Sequence, residues 1–316
     1  MSRVPKVASQ SSKDEKDVPY DFTANDPFDR TTPIRYVLPQ LVASADFMQS
    51  IRDFQVKADE IAIWFVGQNG FLLKDSSNLL IGIDLYLTDS CAITFALFPF
   101  RLNRQLPIFI EPEDLRIDIF VTTHSHQDHA DPETIRRMNK AGTIFVGPYD
   151  SLRIYRESGI PDSSQRLIHP GQIMDLSATV QMQATFALPT DATDLNHTGV
   201  LLDFANGVRF YNTGDTAYAE HLSTLLPSGV DVCTICINGG FRNLAAAQAA
   251  VLVNAIQPRV AIPCHYDMMV NNVGSPQMFR AALELAGSTA EFVVLPYYEP
   301  WIYQSRNTKD ERVKNG

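Results

Sequence analysis

Thr123-His124-Ser125-His126-Gln127-Asp128-His129 follows directly on an apolar run, Ile117-Asp118-Ile119-Phe120-Val121-Thr122. The run reads as a strand, and loops at strand ends are where sites are built. Three of the chain's 7 histidines stand close together here, with an aspartate among them. Neutral imidazoles and a carboxylate suit zinc, iron or manganese. His124 and His126 share one face, while Asp128 and His129 turn toward a second position. That arrangement suits two cations about 3.5–4 Å apart. The alternative, a polar loop with histidines by chance, is the weaker reading for so dense a cluster.

Upstream of the motif the chain reads as a β-meander. Residues 61–66, 70–74 and 79–84 are short apolar runs separated by Gly67-Gln68-Asn69-Gly70 and Asp75-Ser76-Ser77-Asn78, both turn-forming. Before it, 35–58 has a partly helical spacing interrupted by Pro39 and predicts a helix laid against the domain. Residues 85–115 show no clear period. Downstream, Asp131-Pro132-Glu133 opens a helix. Residues 143–146 predict a strand, and a helix follows Asp150. Residues 179–188 alternate as a half-buried strand, and Asn206-Gly207 joins two more in a hairpin. Residues 244–256 form a strong helix, 260–263 a strand, and Ser275-Pro276 caps a last helix that Gly287 stops. An antiparallel half thus comes first and βαβ-like units later, with no linker. The expectation is one α+β domain over 34–303, with two sheets and outer helices. Polar, aperiodic tails are expected at 1–33 and 304–316.

Of 316 residues, 45% are hydrophobic and 20% charged, an ordinary globular composition. Lys plus Arg is 26 against 36 for Asp plus Glu, a net charge of −10. This argues against a nucleic-acid partner, which needs basic surface, while leaving room for a local anion pocket. The four cysteines form no disulfide framework. Cys233 and Cys236 fall in an apolar run and read as core thiols on opposite faces of a strand. The start of the chain lacks the apolar stretch of a signal peptide. Cys91 to Phe100 is too short to span a bilayer, which takes about 20 residues. The expectation is a cytoplasmic protein with no stable membrane insertion; a homo-oligomer stays open. A core strand is the commonest fate of a run such as 91–100. Its place after the meander and before Arg101 and Arg104 instead predicts that Phe98 to Phe100 borders a site mouth or a subunit contact.

His124-x-His126-x-Asp128-His129 resembles the HxHxDH motif of the metallo-β-lactamase superfamily. His197 in Asn196-His197-Thr198-Gly199, Asp215 in Thr213-Gly214-Asp215-Thr216 and His265 in Pro263-Cys264-His265-Tyr266-Asp267 follow in the same order, and Trp64 to Gly67 with Asp84 match the family's first hairpin. Within the superfamily the resemblance is to the L-ascorbate-6-phosphate lactonase branch, carried by the same motif, Phe145 to Pro148, Ser158 to Pro161 and Ile262 to Asp267. The resemblance implies an αββα sandwich and one or two divalent cations, manganese or zinc, with iron also compatible. It implies one cation on His124, His126 and His197 and a second on Asp128, His129 and His265, with Asp215 bridging. The surroundings of His197, residues 191–198, depart from the lactonase, which leaves a one-cation enzyme open. Asp267 either orients His265 or is a loop aspartate. His169 and His221 read as turn, surface or packing residues.

The implied chemistry is hydrolysis by a metal-activated hydroxide, with Asp128 or Asp215 taking a proton. Asn238-Gly239-Gly240-Phe241-Arg242-Asn243 lies before the 244–256 helix, where a Gly-rich backbone can cradle an anion. Arg242 and Asn243 are therefore the candidate contacts to a small anionic substrate; a tight turn with a solvated arginine is the alternative. A sugar-phosphate-like lactone or ester is the expected substrate. Its rivals are a phosphodiesterase of the same superfamily, nuclease-like or N-acyl phospholipid-cleaving, and a non-catalytic binding protein.

Overall fold

The computed structural model describes residues 43–305. The expected tails lie outside these residues, apart from Gln304 and Ser305, and so does 34–42 of the N-terminal segment.

Two seven-stranded sheets face each other. The first is built in chain order from β1 (Glu60–Gly67), β2 (Gly70–Lys74), β3 (Leu80–Ile83), β4 (Ile119–Val121), β5 (Ile144–Gly147) and β6 (Gln165–Leu167). The second is built from β7 (Ile173–Asp175), β8 (Val180–Phe186), β9 (Thr198–Phe204), β10 (Arg209–Asn212), β11 (Val232–Cys236), β12 (Val260–Cys264) and β13 (Glu291–Phe292). β14 (Trp301–Gln304) then returns to the first sheet and pairs antiparallel with β1, Glu60 opposite Gln304. The helices are α1 (Ser44–Asp53), α2 (Ser90–Thr94), α3 (Pro132–Arg137), α4 (Tyr149–Glu157), α5 (Ala246–Ile256) and α6 (Pro276–Leu285). This is an α+β sandwich of the αββα kind.

β1 shows how the sequence makes the layers. All its residues are buried, but they alternate between two environments. Ile61, Ile63 and Phe65 enter the core between the sheets. Ala62, Trp64 and Val66 enter the layer beneath α1, α3 and α4, with Ile51, Ile135 and Tyr155. A period of two with apolar residues in both phases is what a sheet covered on both faces requires. Each large side chain so buried contributes about 1.5–3 kcal/mol. α5 and α6 cover the second sheet with Ala249, Leu252, Val253, Phe279 and Leu283.

Local signals act where the sequence put them. Asp131 accepts from the backbone N–H of Glu133 and Thr134 at the start of α3, with Pro132 in the first turn. Ser275 accepts from Met278 N–H at the start of α6. Gly207 supplies the positive φ, 87°, of the β9–β10 turn. Lys74 is fully buried, and its ammonium donates to the carbonyls of Ile51 (3.2 Å), Arg52 and Phe54 (2.8 Å). It thereby satisfies the C-terminal carbonyls of α1, which no later helical turn could reach.

One expectation changes. The antiparallel and parallel parts do not divide the chain in two, because each sheet contains both. β1–β2–β3 are antiparallel and β3–β4–β5–β6 parallel. β7–β8–β9–β10 are antiparallel and β10–β11–β12–β13 parallel. The run 91–100 is not a core strand: after α2 it leaves Ile93, Leu97 and Phe98 at 80%, 99% and 54% exposure. His221 sits on one short 3-10 turn, Glu220–Thr224. All four cysteines are free and buried, Cys233 and Cys236 inside β11. Among the described residues no helix is long and apolar enough to cross a membrane.

Candidate metal centre

Every candidate ligand lies at one edge of the sandwich. His124 to His129 follow β4, Asp215 follows β10, His265 follows β12, and His197 directly precedes β9, which runs antiparallel to β10. This edge holds the carboxyl ends of the parallel strands, where open α/β sheets place ligands. Three buried residues here adopt left-handed backbone without being glycine: Gln68 (φ 57°), Asp84 (φ 46°) and His265 (φ 58°). Such conformations cost about 1–3 kcal/mol each and collect at functional sites.

The imidazoles are fixed in one tautomer by hydrogen bonds. Asp84 accepts from Thr123 N–H (2.7 Å), Thr123 Oγ1 (2.6 Å), Asn69 Nδ2 (2.7 Å) and His129 Nδ1 (2.7 Å). The Thr123 hydroxyl has given its only proton to Asp84, so it accepts from His124 Nδ1, 3.0 Å away. His197 Nδ1 donates to the carbonyl of Asp215 at 3.0 Å. His124, His129 and His197 are therefore protonated at Nδ1 and present Nε2 lone pairs. The Nε2 atoms of His124 and His197 are buried and unpartnered, and Asp215 Oδ1 is too. His126 works the other way round: its Nε2 faces Asp191 Oδ1 (3.3 Å) and Thr193 Oγ1 (3.2 Å), leaving Nδ1 for the cluster.

Two groups of ligand atoms result. His124, His126 and His197 converge, and so do Asp128, His129 and His265. In the second group His129 Nε2 lies 3.3 Å from His265 Nε2 and 3.7 Å from Asp128 Oδ2, and His265 Nε2 lies 3.2 Å from Asp128 Oδ2. Asp215 Oδ2 is 3.5 Å from His129 Nε2 and 3.4 Å from His265 Nε2. A tetrahedral shell with ligand distances of about 2.0–2.2 Å has edges of about 3.3–3.6 Å. The observed separations, 3.2–3.7 Å, lie within about 0.1 Å of that range. Asp84 also lies close to His124 and His129, but its oxygens are filled by four donors, so it orients ligands and is not one itself.

The electrostatics agree. Burial holds His124 well below the ordinary histidine pKa and lowers His197, which keeps both neutral. Burial opposes charge on Asp128 and Asp215, yet His129 and His265 hold both carboxyls below the ordinary range. At His129 burial is outweighed by Asp215, Asp128 and Asp84, which raise it well above the ordinary value. Three carboxylates around one point call for a positive charge there, either a proton or a metal ion.

Asn243 is buried and donates to Asp215 Oδ2 at 2.5 Å, so it holds a ligand in place. Arg242 is exposed, at φ 65°, and among the described residues no hydrogen bond or ion pair joins it to the cluster. Asp267 accepts from the Tyr297 hydroxyl and does not touch His265. His169 lies in a turn where its N–H bonds Gln172. Phe100 packs edge-on against Phe241 at 5.2 Å, and Thr94 accepts from Gln127 at 3.0 Å. The 91–100 segment thus borders the centre on two sides.

Sequence reasoning missed Gln68, Asn69, Asp191 and Asp194. Asp194 joins the two histidine loops by accepting from Ser125 N–H and Asn196 N–H, both at 2.6 Å. Its only signal was an Asp-rich stretch, 191–194, immediately before His197.

A two-sheet sandwich with paired His/Asp clusters on one edge defines a superfamily of metal-site proteins. Residues 62–265 match the Beta-lactamase superfamily domain, and the chain belongs to the metallo-β-lactamase superfamily. It is 26% identical over 193 residues to a UPF0173 metal-dependent hydrolase of Thermoplasma acidophilum, covering 60% of this chain and 82% of that protein. To one from Archaeoglobus fulgidus it is 26% identical over 239 residues, covering 74% and 95%. Among solved structures, Igni18, a metallo hydrolase of Ignicoccus hospitalis, superimposes with a TM-score of 0.61 at 20% identity, covering 78% of this chain and all of that one. An isothiocyanate hydrolase from Delia radicum gut bacteria gives 0.60 at 13%, covering 77% and 100%. At such identities the structural likeness speaks to the fold.

Proposed function

We propose that the chain is a metal-dependent hydrolase that opens a small anionic lactone or ester. One observation carries the reading: buried, unpartnered lone pairs on His124 and His197 and an unpartnered oxygen on Asp215 meet at one edge, beside four ligand atoms at tetrahedral spacing. Divalent cations held there, manganese, zinc or iron, supply an acidified water and polarise the electrophile. The residues divide the rest of the work. Asp84 and Thr123 keep two imidazoles in the ligating tautomer. Asn243 holds Asp215 through Oδ2 and leaves Oδ1 unpartnered, where it would serve as a ligand. Asp128 engages the cluster through Oδ2, and its side chain retains 18% exposure, so Oδ1 can receive the proton of the attacking water. Arg242, exposed and next to Phe241 in the chain, offers its guanidinium to the substrate's anionic group.

The names of the relatives support a hydrolase, and the resemblance to the lactonase branch supports a carbonyl electrophile. The net charge of −10 disfavours polyanions at a distance. The test is a metal-stripped and reloaded enzyme against sugar lactones, including ascorbate 6-phosphate, simple esters and phosphodiesters. Lactone or ester turnover is expected to need the cation and Asp128. Arg242→Ala is expected to raise KM more than it lowers kcat. Turnover of phosphodiesters with every lactone untouched would sink the reading.

One observation favours a second reading. Ile93 lines a cavity of about 440 Å³ that reaches Gln127 of the motif, and Leu97 and Phe98 are exposed on the same segment. A substrate with an acyl chain, ester or N-acyl phospholipid, would cover this apolar surface. Phe98→Ser would then raise KM for long-chain esters and leave short ones unchanged.

A further inference from the structure

Gln68 has no place in the ligand set described so far, yet it sits inside it. Its side chain is fully buried in the β1–β2 turn. Its Nε2 lies 2.6 Å from Asp128 Oδ2 and 3.1 Å from His265 Nε2, the two atoms that line one face of the second group. Its Oε1 is buried with no partner. Its backbone is held at φ 57° while its carbonyl accepts from His265 N–H at 2.6 Å. The turn is therefore strained and tied to a ligand-bearing loop 197 positions away, in a way that aims this amide at the cation position.

With the nitrogen inward, the amide donates to Asp128 Oδ2 and lies against His265 Nε2. A half-turn about its last bond exchanges nitrogen for oxygen, the two ends of an amide being nearly the same size. The oxygen then stands where the nitrogen does, beside Asp128 Oδ2 and His265 Nε2, and the nitrogen takes the buried position that the oxygen held. An amide oxygen there is repelled by Asp128 unless a cation lies between them.

We infer that Gln68 is a further protein ligand of the second cation, through Oε1. The ligand is a hard, neutral oxygen, which favours manganese over zinc relative to a purely His/Asp site. The inference rests on the two-cation reading of the centre.

The test uses the full chain, stripped with chelator and titrated with Mn²⁺ by electron paramagnetic resonance and with Co²⁺ by visible absorption. Gln68→Met keeps the length and bulk of the side chain and removes the oxygen; Gln68→Glu restores an oxygen. The wild type is expected to bind two cations per chain. Gln68→Met is expected to weaken the second Mn²⁺ at least tenfold with the first unchanged, and to intensify the Co²⁺ band of the second site as its coordination number falls. Gln68→Glu is expected to recover the affinity. Thermal melts of the stripped proteins check that each variant folds, and Gln68→Gly, at ease at positive φ, replaces Gln68→Met if that variant does not. Two cations bound to Gln68→Met with affinities within twofold of wild type, or tighter, would overturn the assignment of Gln68 alone. A wild type that binds one cation would overturn both it and the two-cation reading.

Discussion

Asp84→Asn tests whether one carboxylate governs both halves of the centre. The replacement is nearly isosteric, and asparagine tolerates the φ of 46° at this position. Asp84 accepts four hydrogen bonds, three at Oδ2 and one, from Thr123 N–H, at Oδ1. An asparagine does best with its NH₂ at the Oδ1 side, where it meets the Thr123 N–H donor to donor. One buried donor is then unsatisfied, worth about 1–3 kcal/mol, and three bonds lose their charge assistance. Removing one of three neighbouring carboxylates gives part of this back, so the stripped protein should lose about 2–4 kcal/mol. Carboxylate–histidine pairs typically set metal affinity by 10–100-fold, about 1.4–2.7 kcal/mol. Because Asp84 acts on His129 directly and on His124 through Thr123, both cations should weaken. Urea unfolding of the stripped protein and metal titration of the folded one measure the two effects separately. Lowered stability with both metal affinities intact would refute the tautomer argument, and a loss confined to the second cation would refute the relay through Thr123.

Replacing His197 with Ala should lower metal content and hydrolysis together; unchanged occupancy by elemental analysis would show that the centre manages without it. Lys74→Met should leave the carbonyls of Arg52 and Phe54 without their side-chain donor and that of Ile51 with Phe54 N–H as its donor, destabilise the chain by about 2–4 kcal/mol and speed amide exchange across α1. Unaltered protection of residues 44–53 would count against it. Asp267 has one partner, Tyr297, and burial pushes its carboxyl up to about 7. The folded state therefore keeps a proton that the unfolded state gives up near pH 4, so this contribution is intact at pH 4 and falls as pH rises to 7. The loss is on the order of 4 kcal/mol. Asp267→Asn should flatten the urea midpoint between pH 4.5 and 7.5; an undiminished slope would place the titration elsewhere.

The parts of this fold that could be read from the sequence are those with local causes. Asp131-Pro132, Asn206-Gly207 and the short apolar runs around 61–84 act within a few residues, and each element formed where its signal lies. The HxHxDH cluster was legible for the same reason. His197, Asp215 and His265 were reached through family resemblance, since no spacing joins them to the motif. What was not legible are the residues that act across the chain. Gln68 and Asn69 look like turn residues until the fold brings them to His265 and Asp84. In the 91–100 run apolar content alone does not distinguish a buried strand from an exposed apolar rim; its place before Arg101 and Arg104 pointed to the rim, where Phe98 is exposed.

The return of β14 to β1 has a consequence for synthesis. The first sheet's other strands emerge from the ribosome early, but β1 gains its outer neighbour only about 240 residues later. At about 5–20 residues per second, that is roughly 12–48 s of translation with an apolar edge strand unpaired. Ile61 and Ile63 lie on that edge. Such an edge is a template for other chains. Slow codons late in the message, or a nascent-chain chaperone in short supply, would therefore reduce the yield of this protein while leaving the stability of molecules that do fold unchanged.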